Sequence, residues 1–127
     1  MNQAVIGVGS NIEPELNVPM ARERIAHRHV IIAESPLVET SPIGYVHQPD
    51  FTNGALLVET NLDRERLRAD LKAIEFMLGR RPGTNRYGPR TIDLDIVVWN
   101  GEVIDRDLYT RDYLREAVLA VLPDLKL

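Results

Sequence analysis

Thr91-Ile92-Asp93-Leu94-Asp95-Ile96-Val97-Val98-Trp99 alternates apolar and acidic side chains with the two-residue period of a β-strand. On that period Ile92, Leu94, Ile96 and Val98 share one face, and Asp93 and Asp95 point together to the other. Carboxylates about 7 Å apart on one side of a strand repel each other unless a cation lies between or beyond them. Hard oxygen ligands of this kind suit Mg²⁺, which takes one or two carboxylates together with substrate phosphates. The solvated outer face of an amphipathic strand gives the same pattern, so the pair alone leaves both readings open.

Immediately upstream, residues 80–90 hold Arg80, Arg81, Arg86 and Arg90 and no acid. Guanidinium groups stay charged near neutral pH, and their forked donors match phosphate oxygens bidentately. Gly79, Gly83 and Gly88 with Pro82 and Pro89 make this stretch a loop, and loops beside a rigid strand are where binding groups are commonly carried. A solvated basic surface or a nucleic-acid contact would also account for an isolated arginine cluster. The adjoining acid pair argues against nucleic acid.

The rest of the chain reads as one α+β domain, residues 1–127. Its 127 residues and 44% apolar content suffice for a single core. A net charge of −4 excludes a general polyanion binder while leaving room for a local basic patch. The absence of cysteine removes disulfide and thiolate chemistry. No apolar run approaches the roughly 20 residues of a membrane span, and the N-terminus lacks a signal-peptide pattern, so a cytoplasmic protein is expected.

Residues 3–8 read as a strand, followed by a helix of about ten residues from near Val18, with Asn17 as its cap and Pro19 in its first turn. Residues 30–38 and 54–60 read as antiparallel strands joined by a long loop, and 62–78 as a helix with Leu67, Leu71, Ile74 and Leu78 on one stripe. This order predicts a sandwich with helices on one sheet face. The loop between the middle strands is the candidate site for a flat heterocycle: Phe51 offers an aromatic platform and Asn53 edge donors and acceptors. A core phenylalanine and a turn-forming asparagine before Gly54 would explain the same residues. His27 and His29 read as exposed residues at a helix end, and Asp105, Asp107 and Asp112 with Arg106, Arg111 and Arg115 as surface ion pairs.

Arg86-Tyr87-Gly88-Pro89-Arg90-Thr91-Ile92-Asp93-Leu94-Asp95 closely resembles the signature of the 6-hydroxymethyl-7,8-dihydropterin pyrophosphokinase family. Residues 4–11, ending in Gly9-Ser10-Asn11, look like that family's first strand and turn. Thr40-Ser41-Pro42-Ile43-Gly44 and Gln48-Pro49-Asp50-Phe51-Thr52-Asn53 are similar to its pterin loop, and Ile74-Glu75 with Gly79-Arg80 to the end of its second helix.

The resemblance implies a ferredoxin-like βαββαβ core and Mg²⁺-dependent transfer of pyrophosphate from ATP to the pterin hydroxymethyl group. It implies that Asp93 and Asp95 hold two Mg²⁺ ions and that Arg80 and Arg90 act with them on the phosphates. Thr40, Pro42, Ile43, Phe51 and Asn53 would take the pterin; Glu75, Arg80, Arg81, Tyr87, Arg90, Ile96, Tyr113 and Arg115 would lie by the nucleotide. The partners expected are these small molecules alone, with neither nucleic acid nor membrane, and the protein is expected to be a monomer.

Three departures from the family pattern stand out. Arg80-Arg81-Pro82 replaces Arg-x-Arg, Tyr87 stands where tryptophan is common, and residues 110–116 lack the family's Pro-His and closing aromatic. The alternative they leave is a catalytically weak or inactive pterin- or nucleotide-binding relative.

Overall fold

β1 (Asn2–Ser10) lies at the centre of the sheet because its residues are apolar on both faces, which suits a strand covered from two sides. In the computed structural model, which describes residues 1–44, 47–79 and 91–127, β1 pairs antiparallel with β4 (Phe51–Thr60) on one side and β5 (Asp93–Trp99) on the other. β2 (Val30–Glu34) forms the edge beyond β4, and the two-residue β6 (Glu102–Val103) the edge beyond β5. β3 (Val38–Thr40) also pairs with β4, continuing the line of β2 after an interruption at Ser35–Leu37. The six strands described form one antiparallel sheet in the order β2-β4-β1-β5-β6, which with its helices is the expected ferredoxin-like α+β arrangement.

α1 (Pro14–Arg28) and α2 (Arg64–Met77) cover one face. Ala4, Ile6 and Val8 meet Val18, Ala21 and Ile25 of α1 and Leu67, Leu71 and Ile74 of α2 there, with Leu94 and Ile92. Each fully buried leucine or isoleucine contributes roughly 1.5–3 kcal/mol. The predicted stripe of α2 is the buried one, and Asp63 caps the helix by accepting from the Arg66 N–H at 2.8 Å.

α1 begins earlier than its composition suggests. Pro14 takes the first helical position, where a missing N–H costs nothing. Asn17 is therefore inside the helix and buried, its Nδ2 donating to the Ile12 carbonyl, and Pro19 is an interior residue rather than part of the first turn. His29 is also not exposed: it closes α1, with Nδ1 2.8 Å from Thr60 Oγ1 and Nε2 2.7 Å from Asp70, tying α1, β4 and α2 together.

The sheet is covered on both faces, against the expectation of helices on one. α3 (Asp112–Val121) packs Ala117, Val118 and Val121 on Val5, Ala55, Leu57, Val97 and Val98. Val98 reaches this side because the β1–β5 register passes from Ile6↔Ile96 to Val5↔Val98, a β-bulge at Val97. The bulge breaks the simple alternation, so Val98 does not share the face of Ile92, Leu94 and Ile96. It also leaves the Val97 carbonyl to accept the N–H groups of Ile104 at 2.8 Å and Asp105 at 3.2 Å. The hairpin to β6 turns on Asn100 and Gly101, both at positive φ (48° and 82°), the conformation of an Asn-Gly two-residue turn.

Candidate active site

α3 has ten residues and covers only part of its face of the sheet, and the remainder is an open cavity of about 690 Å³. That volume is within the range of small-molecule sites, roughly 300–1,000 Å³. Its floor follows from strand register. Asn53 of β4, Gly9 of β1 and Asp93 of β5 stand in one row, and Ala55, Gly7 and Asp95 in the next. Glycine at the middle of each row is what makes room. A Cβ at Gly9 would stand 3.0 Å from Asn53 Oδ1, and one at Gly7 3.1 Å from Val97 Cγ2.

Asp93 and Asp95 both line this cavity, as their period predicts, with Asp95 the more exposed. Across the glycines, Phe51 and Asn53 line it from β4, Thr40 from β3, and Ile43 from the following loop. Asn53 and Phe51 are strand residues rather than loop residues, since β4 starts at Phe51. The register pairs Thr40 with Phe51, and Asn53 Nδ2 donates to Thr40 Oγ1 at 2.5 Å, which holds the amide. Pro42 is half-buried in the same loop. Tyr113 lines the cavity from α3.

Other expected residues stand elsewhere. Ile96 packs against the core under α1 and α2. Arg115 donates to Asp112 at 2.6 Å on the surface of α3. Glu75 is buried on α2, and its Oε2 accepts the Leu94 N–H at 2.7 Å. It anchors the backbone of the residue between the two aspartates. Arg80, Arg81, Arg86, Tyr87 and Arg90 lie outside the described residues.

Sequence reading missed four wall residues: Lys72, Asp105, Asp107 and Arg111. Lys72 carried a signal, since it precedes Glu75 by three positions and shares its side of the helix. The other three did not. Surface pairing describes Arg115 with Asp112, but the bulge and the 3₁₀ turn Arg106–Tyr109 bring Asp105, Asp107 and Arg111 into the cavity wall.

Burial raises the Asp105 carboxyl above its ordinary value, reinforced by Asp107 and Asp95, against the Asp107 N–H and Arg111. Burial by itself would lower Arg111, but the Tyr113 hydroxyl and the charges of Tyr113, Asp107 and Asp105 outweigh it and the guanidinium is raised.

A carboxyl raised in the folded state binds its proton more tightly there than in the unfolded chain. Its contribution is therefore favourable below the unfolded value and is lost as pH rises through the folded one, leaving ionised Asp105 destabilising at pH 7. Asp105→Asn keeps an oxygen to accept the Asp107 N–H, 2.9 Å away in the parent. The variant is expected to melt on the order of one or two degrees higher at pH 7, a modest gain because the group is partly exposed. The gain should shrink toward zero near about pH 4. Thermal melts across that range check it, and a lower melting temperature at pH 7 contradicts it.

The fold and cavity define a small α+β domain with a small-molecule-sized cleft, acidic among the described residues, on one half of a sheet face. The family described as 7,8-dihydro-6-hydroxymethylpterin-pyrophosphokinase (HPPK) matches residues 5–123, and the chain belongs to it.

The chain is 35% identical over 131 residues to the 2-amino-4-hydroxy-6-hydroxymethyldihydropteridine pyrophosphokinase of Bacillus subtilis, covering 98% of this chain and 78% of that one. It is 32% identical over 139 residues to the Pseudomonas aeruginosa protein of the same name, covering 100% and 85%. To the mitochondrial folate synthesis bifunctional protein of Pisum sativum it is 36% identical over 132 residues, 97% of this chain and 25% of that protein. The chain is thus a pterin pyrophosphokinase of folate synthesis by family. No helix among the described residues is long and apolar enough to cross a membrane.

Proposed function

We propose that this protein transfers pyrophosphate from ATP to 6-hydroxymethyl-7,8-dihydropterin, giving AMP and the pterin diphosphate, and that Asp93 and Asp95 hold the two Mg²⁺ ions the reaction uses. One observation carries the reading: Asn53 and Asp93 face the same cavity across Gly9, with no side chain between their strands in that row. Two strand spacings, about 10 Å, separate the strand carrying Asn53 and Phe51 from the strand carrying the acids. A bicyclic ring lying by Asn53 therefore extends its hydroxymethyl arm toward Asp93 and Asp95.

The hydroxymethyl oxygen bonds to the β-phosphorus as the bridge oxygen to the α-phosphorus leaves with AMP, and the hydroxyl proton passes to solvent. Phe51 and Asn53 orient the ring, with Thr40 holding the Asn53 amide, while Pro42 and Ile43 border the ring edge. Asp93 and Asp95 present carboxylate oxygens toward the transferred group, and Glu75 keeps them in register through Leu94. Mg²⁺, when bound, neutralises phosphate charge and holds the phosphates in line.

Among the described residues no group of three or more His, Cys, Asp or Glu forms a metal cage. A two-carboxylate donor set fits an ion that completes its shell with water and phosphate oxygens. Arg80 and Arg90 are assigned to the phosphates, with Arg81, Tyr87 and Tyr113 on the nucleotide side, in a cytoplasmic monomer.

AMP release from ATP and Mg²⁺, with and without the hydroxymethyl-dihydropterin, tests the proposal. AMP is expected only when pterin and Mg²⁺ are both present. Tight pterin binding without AMP would instead identify a binding relative that has lost transfer.

A further inference from the structure

The described cavity wall holds four carboxylates, Asp93, Asp95, Asp105 and Asp107, against two cationic side chains, Lys72 and Arg111. Arg111 is engaged at the α3 end, 3.5 Å from Asp107 and donating to Tyr113 Oη at 3.4 Å. Lys72 stands at the other end. Its ammonium is 3.4 Å from Asp95 Oδ1, 3.2 Å from Glu75 Oε2 and 3.4 Å from the Leu94 carbonyl. Three oxygens around one ammonium, all on or bonded to the acidic strand, form a cation position already filled by the protein. The side chain is 38% exposed and sits on a flexible four-carbon stem, so it can leave without disturbing the core.

We infer that Lys72 is a built-in counter-ion for Asp95, which it holds while the site is empty and releases to the divalent cation, turning its ammonium to the polyphosphate that arrives with the ion. The inference rests on the metal role proposed above for Asp93 and Asp95. A lysine at Asp95 offsets the charge of that carboxylate and makes the bare site a poor binder of free Mg²⁺. Cation and nucleotide then load together, because the phosphates take up the charge that Lys72 withdraws from Asp95. Lys72 is a positioning residue for the acid and a phosphate contact in the loaded site.

Mn²⁺ titrations followed by electron paramagnetic resonance test both halves with the whole chain, first without nucleotide and then with a non-hydrolysable ATP analogue. In Lys72→Met, Mn²⁺ affinity without nucleotide is expected to rise about fivefold, since one positive charge beside Asp95 is removed. Affinity for the analogue at saturating Mn²⁺ is expected to fall about tenfold with loss of a charge-assisted phosphate contact. Lys72→Arg, which keeps the charge, is expected to hold both values near the parent's, and a shift as large as that of Lys72→Met overturns the charge account. If Lys72→Met loses its fold by circular dichroism, Lys72→Gln, which is uncharged but keeps a polar amide, carries the measurement.

Absence of either change overturns the inference, as a purely structural link between α2 and β5 would move stability alone. Asp95→Asn separates this from failure of the metal reading. Should that variant bind Mn²⁺ and the analogue as the parent does, the metal assignment falls; should it lose Mn²⁺ while Lys72→Met is unchanged, only the role of Lys72 falls.

Discussion

Asp95→Asn is expected to reduce AMP formation by at least about a thousandfold, equivalent to roughly 4 kcal/mol of transition-state stabilisation, while leaving the fold intact. The fold should survive because the Asp95 side chain is 56% exposed and its backbone pairs with Gly7 whatever the side chain is. Lys72 loses its contact with Asp95 in the variant but keeps Glu75 and the Leu94 carbonyl. Activity should suffer because a neutral amide is a poor ligand for a hard divalent ion and leaves the phosphate charge less compensated. AMP production at saturating substrates and a thermal melt decide it together. A folded variant with near-parental turnover would remove Asp95 from the metal role.

Glu75→Ala is expected to lose roughly 2–4 kcal/mol of stability, a drop in melting temperature on the order of 10 °C. The side chain is buried, and its removal leaves the Leu94 N–H without the carboxylate that now accepts it at 2.7 Å. Lys72 loses a partner at the same time. Because Leu94 lies between Asp93 and Asp95, turnover should fall well below the melting transition too, as the acids lose their common anchor. Glu75→Gln retains an acceptor for the Leu94 N–H and should cost about 1 kcal/mol less than the alanine variant. Denaturant melts of the three proteins check the order parent, glutamine, alanine. A Glu75→Ala protein as stable as the parent would show that this bond contributes nothing.

The two carboxylates show how far a short sequence window reaches. Their period of two put both on one side of β5, and they line the same cavity. Residue chemistry singles out Phe51 and Asn53 and the family resemblance Thr40, Ile43 and Tyr113, and all five meet on that cavity, though Phe51 and Asn53 do so from a strand and not from a loop. Strict alternation places Val98 on the wrong face because the bulge at Val97 is created by pairing with β1, not by the apolar pattern of β5. The burial of His29 is hidden from any local window because its partners Thr60 and Asp70 are 31 and 41 positions away in sequence. Pro19 suggested a first turn, and the packing of Val18, Ala21 and Ile25 carried the helix through it.

Residue order alone determined the alternation of β5, the amphipathic stripe of α2 with its Asp63 cap, and the acid pair after an arginine-rich segment, because each is set by neighbours within a turn or a strand. Tertiary structure decided which rows those residues occupy. The opposition of Gly7 and Gly9 to Asp95 and Asp93, the position of α3 on the second face, and the arrival of Lys72, Asp105 and Arg111 at the cavity all depend on strand register and helix packing. Register is fixed by summed contacts between segments as far apart as Ala4 and Trp99, so no local window contains it.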